Sequence, residues 1–70
     1  MMTGWQKVFS TQWAYQADIV KAVLEDRGFS AVIINLQDSS HHLWGEHEVH
    51  VPLADVLPAI KIIQDEIRFE

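Results

Sequence analysis

The chain has 70 residues, an apolar fraction of 49%, no cysteine, and a formal net charge of −5 from ten acidic against five basic residues. That is one domain near the lower size limit for folding without staples, with no disulfide, zinc–thiolate site or thiol nucleophile open to it. Its bases, Lys7, Lys21, Arg27, Lys61 and Arg68, are scattered, so no basic stripe exists to neutralise phosphates, and neither nucleic acid nor an anionic membrane is expected as partner.

No apolar run approaches the roughly 18 residues of a membrane span, and no positive segment followed by an apolar one opens the chain. A soluble cytoplasmic protein with a single domain over residues 1–70 is the expectation.

Residues 5–10 are rich in β-formers and suit a first strand. Residues 13–27 read as a helix, with Trp13, Ala17, Ile19, Val20, Val23 and Leu24 on one broad face. Lys21 and Glu25 are spaced for an i,i+4 ion pair on the other side. Ser10 or Thr11 can cap the start, and Gly28 is placed to end the helix in the left-handed conformation.

A second strand is expected over residues 31–37, where Val32, Ile33 and Ile34 follow one another. Residues 38–45 form a polar connection. Strict alternation follows over 46–51, with Glu46, Glu48 and His50 pointing one way and His47, Val49 and Val51 the other. A last helix carries Val56, Ala59, Ile60, Ile63 and Ile67 as its stripe. Pro58 is tolerated at its third position, where no intrahelical N–H bond is lost, which makes Asp55 the N-cap.

The order β-α-β-β-α predicts an α+β, ferredoxin-like (PII-like) domain without a fourth strand. A crossover from the first strand to the second leaves a slot that the third fills, giving a three-stranded antiparallel sheet of order 1-3-2 with both helices on one face. Alternation puts Val8, Val32, Ile34, Leu36, Val49 and Val51 under the helices. Lys7 cannot lie unpaired in a core, so Trp5, Lys7 and Phe9 are assigned to the open face with Ile33, Asn35, Glu46, Glu48 and His50. Trp5, Phe9 and Ile33 then form an exposed apolar set that suits contact with a second copy, most simply a face-to-face homodimer, or with another protein.

All four histidines fall within residues 41–50. Imidazole suits zinc, nickel or copper, yet the spacing matches no standard template, and His47 and His50 face opposite ways on a strand. His41, His42, Glu48 and His50 remain a weak ligand set, and no cofactor is expected. Asp38, Ser39, Ser40, His41 and His42 are loop candidates for a small ligand. Ser39 or Ser40 beside His41 lacks the orienting third group and oxyanion hole of a triad, and Asp38-Ser39-Ser40 reads better as turn chemistry. No enzyme is expected. Trp44, apolar in a polar loop, either folds back on the sheet end or the last helix or is the remaining partner-binding candidate.

The strings Trp5-Gln6-Lys7-Val8-Phe9-Ser10, Glu25-Asp26-Arg27-Gly28-Phe29, Asn35-Leu36-Gln37-Asp38-Ser39-Ser40 and Gly45-Glu46-His47-Glu48-Val49-His50-Val51-Pro52 resemble a family of small bacterial domains of unknown function. That family is grouped as prokaryotic signal-transducing proteins. The resemblance covers nearly the whole chain and implies a PII-like, ferredoxin-like fold in a bacterial cytoplasm, working in signal transduction. His47 stands where relatives tend to carry an aliphatic residue, and His41-His42 where an aromatic and an aliphatic are usual. No nucleotide-binding loop of the PII kind is recognisable. Together these features predict a non-catalytic regulatory or interaction module that acts through its open sheet face and the 38–45 loop.

Overall fold

A computed structural model describes residues 4–36 and 46–69, with Leu36 described by its backbone alone. The elements are β1 (Trp5–Thr11), α1 (Ala14–Asp26), β2 (Val32–Leu36), β3 (Glu46–Pro52), a 3-10 turn at Leu53–Asp55, and α2 (Val56–Glu66). β3 pairs antiparallel with both other strands, giving the sheet order β1-β3-β2 expected from the crossover argument. Ala17, Val20 and Leu24 of α1, Ala59 of α2, and Val49 and Val51 of β3 share one buried cluster with Ala31. Both helices therefore cover the same face, and the fold is the α+β arrangement the sequence predicts.

The buried positions of α1 follow the helical period, and Lys21 and Glu25 pair at 3.3 Å on its outer side. Two residues assigned to its stripe lie outside it. Trp13, 52% exposed, is the N-cap with extended φ and ψ, so helical phase does not govern its side chain. Ile19, 43% exposed, is turned about 100° from Val20 and sits on the shoulder of the stripe. Neither Ser10 nor Thr11 caps the helix by a side-chain bond. Instead the Thr11 hydroxyl accepts the Trp13 N–H at 3.1 Å and donates to Gln16 Oε1 at 2.7 Å, a local turn that leads the chain into the helix.

The C-terminus of α1 closes as predicted. Gly28 has φ +92°, its N–H bonds Glu25 O at 3.0 Å, and the Phe29 N–H bonds Leu24 O at 3.0 Å. These are the two bonds of a Schellman motif, and Phe29 packs on the core beside them. At α2, Asp55 is the N-cap without a side-chain cap bond, and Pro58 is the third helical residue. Ile62 rather than Ile60 joins the core. The two sit on opposite shoulders of the α2 stripe, so spacing alone does not separate them.

After α2 the chain is extended. Ile67 and Phe69 pack against the core, and the Phe69 ring lies 5.9 Å from Phe9 and 6.4 Å, edge-on, from Tyr15. Among the described residues there is no fourth strand, and no helix is long and apolar enough to cross a membrane.

Candidate functional site

β3 defines the two faces because it is central and alternates cleanly. Val49 and Val51 are fully buried under the helices, so Glu46, Glu48 and His50 belong to the open face. Antiparallel partners share a face. Ile33 lies opposite Val49 and Asn35 opposite His47, on the helix side, whereas Val32 and Ile34 lie opposite His50 and Glu48, on the open side.

β1 is not regular. Lys7 lies opposite His50 and Phe9 opposite Val49, so the register steps between them and Val8 is an extra residue. A bulge of this kind places two residues against one and shifts the alternation by one position. Val8 and Phe9 both pack on the core, while Trp5, Lys7 and Ser10 keep to the open face opposite Pro52, His50 and Glu48.

The assignment of Phe9 and Ile33 to an exposed partner-binding set is therefore corrected, because both pack against the buried cluster. Val32 and Ile34, assigned to the core, move the other way. The side chain of Leu36 lies outside the described residues. So do Asp38, Ser39, Ser40, His41, His42 and Trp44, along with every expectation resting on them.

What the open face brings together is Trp5, Lys7 and Ser10 on one side, Glu46, Glu48 and His50 down the middle, and Val32 and Ile34 on the other. Its polar centre is connected. Glu48 Oε1 accepts from His50 Nε2 at 2.9 Å, and Glu48 Oε2 lies 3.6 Å from Lys7 Nζ. A carboxylate only accepts, so the proton of this bond is on His50 Nε2. Although no layer of the described structure covers this face, the Glu48 and His50 side chains are only 16% and 14% exposed. His50 Nδ1 is buried and has no hydrogen-bond partner among the described residues.

By alternation His47 shares the helix side of β3 with Val49 and Val51. It lies at the outer end of the helix side, in a row with Thr11 and Asn35, and its Nδ1 is 2.5 Å from Asn35 Oδ1. His47 and His50 face opposite ways, as alternation requires. Among the described residues no group of three or more His, Cys, Asp or Glu side chains is placed to hold a metal ion. Glu48 and His50 are the one pair from the weak ligand set that the described structure brings into contact.

Comparison with known protein families, with curated proteins and with solved structures finds no match.

Proposed function

We propose that the chain is a small non-catalytic regulatory or interaction module of the bacterial cytoplasm that binds another protein through its open sheet face. The observation that carries this reading is a helix-free face on which apolar Trp5, Val32 and Ile34 flank the linked polar groups of Lys7, Glu48 and His50. In a contact with another protein the flanking apolar groups supply burial and the polar centre fixes register. The resemblance to small signal-transducing domains points to the same kind of role.

Acidic Glu46 and Glu48 lie along the middle of the face, so the fitting partner presents basic groups there and apolar groups over Val32 and Ile34. Two copies stacked face to face would instead set these glutamates over one another. A photo-crosslinking residue placed at Trp5 or Val32, compared with one at Asp18 on the outer side of α1, tests the reading in cells. Protein adducts should form at the first two positions and should be lost when Glu48→Lys reverses the central charge. Adducts that form equally at Asp18, or that ignore Glu48→Lys, reject the open face as the contact.

A further inference from the structure

The two edges of the sheet are built differently. β1 carries the bulge at Val8 and the charge of Lys7, two features that obstruct pairing with a foreign strand. β2 has neither. Its register with β3 is unbroken, and Val32-Ile33-Ile34-Asn35-Leu36 contains no charge, proline or glycine. Among the described residues β2 pairs only with β3, so alternate N–H and C=O groups on its other side have no ladder partner there, and nothing in this segment deters a second strand from taking them.

We infer that β2 pairs antiparallel with β2 of a second copy, about a two-fold axis normal to the sheet at Ile34, to form one continuous six-stranded sheet. This register uses all five residues of the strand and keeps the faces matched, because it sets Ile34 beside Ile34, Ile33 beside Asn35 and Val32 beside Leu36.

Charge selects this geometry over stacking. The protein carries a net charge of −5, so two copies approach most easily where the surface has none. Across a paired β2 edge the two Glu48 positions are three strand spacings apart, roughly 14 Å, beyond the Debye length of about 8 Å at physiological salt. Stacked open faces would bring the same carboxylates toward one another across a gap of about 10 Å, from both sides of it. Edge pairing also leaves both open faces uncovered and on the same side of the joined sheet, so the proposed contact surface is doubled. The inference rests on the β2 edge and stands or falls separately from that surface.

The natural chain has no cysteine, so one introduced thiol is unambiguous. Ile34→Cys places the two thiols directly opposite on the axis, about 5 Å apart at Cβ and close to disulfide geometry. Val32→Cys separates them by four residues along the strand, roughly 13 Å, which no disulfide spans. Under mild oxidation at millimolar protein, Ile34→Cys should form covalent dimer at least tenfold faster than Val32→Cys or Asp18→Cys. Equal rates for the three, or a faster rate at Val32, overturn the edge register. A second variant guards against misfolding: Ile34→Lys faces Glu48 of its own chain but sets like charges together on the axis. It should sediment as a folded monomer where the natural chain self-associates. A natural chain that remains monomeric at millimolar concentration overturns the inference, as does association strengthened by Ile34→Lys, which would indicate stacked faces.

Discussion

Replacing Gly28 isolates a backbone effect from packing. Its φ of +92° lies where an L side chain is strained, yet a Cβ added there meets no atom within 4 Å. Gly28→Ala therefore costs only the conformational penalty of the left-handed region, about 1–2 kcal/mol. The alanine gives back part of this by restricting the unfolded chain, about 0.4–1 kcal/mol, so the net loss should be about 1 kcal/mol. In a domain of this size that lowers Tm by roughly 4–8 °C. A chain of this length can be assembled chemically, so the mirror-image test is open: D-alanine at the same position fits a positive φ and should be neutral or stabilising by up to about 1 kcal/mol. Urea unfolding with an unchanged m-value would read both variants. Equal losses for the L and D residues would refute the reasoning, since they would mean that the methyl group and not the backbone is at fault. No loss for L-alanine would mean that the Schellman bonds to Leu24 and Glu25 do not hold the helix end.

The bulge predicts opposite outcomes for neighbouring substitutions in β1. Phe9→Glu buries an unpaired charge between the core and Phe69 and should unfold much of the population, while Ser10→Glu on the open face should leave the circular dichroism spectrum unchanged. Tolerance of Phe9→Glu would restore the regular alternation that the structure replaces. At the centre of the open face, Glu48→Leu removes the hydrogen-bond partner that the described residues give the His50 ring and should cost about 1–3 kcal/mol. Glu48→Leu with His50→Val removes both partners, and urea titration should then recover most of that loss. Simple additivity of the two substitutions would show that the Glu48–His50 bond contributes nothing.

Most of the fold was legible in this sequence because its signals are local and repeated. The stripe of Ala17, Val20 and Leu24, the Gly28 stop, the proline at the third position of α2 and the alternation of β3 each rest on a physical rule that tertiary contacts did not override. The faces of the outer strands were not legible, for two separate reasons. In β2, Val32, Ile33 and Ile34 are all apolar, so their alternation carries no phase, and Asn35 was assigned to the open face. Asn35 lies on the helix side all the same, at an exposed end of the strand where it meets His47. In β1, Lys7 gave the correct face for Trp5 and itself, but parity was carried past Val8 without the extra residue.

That single extra residue decides which face Phe9 takes. With regular alternation set by Lys7, Phe9 would stand on the open face, and Val8 alone of the pair would reach the helices. The bulge sends both Val8 and Phe9 inward, where Phe9 meets the Phe69 ring from the C-terminal segment. A 70-residue chain whose fully buried side chains are no larger than leucine gains from that second inward residue. Lys7 stays opposite His50 and 3.6 Å from Glu48. The bulge therefore adds Phe9 to the core without moving Lys7 from the polar centre of the open face. Deleting Val8 should keep Lys7 opposite His50 and Phe9 opposite Val49, because the two sides of the bulge would then join in regular alternation. The deletion should cost about 1–2 kcal/mol of half-buried valine packing, while amide chemical shifts at His50 and Val49 continue to report the parental strand pairing. Loss of that pairing would show that Val8 sets the register and does not simply occupy a step in it.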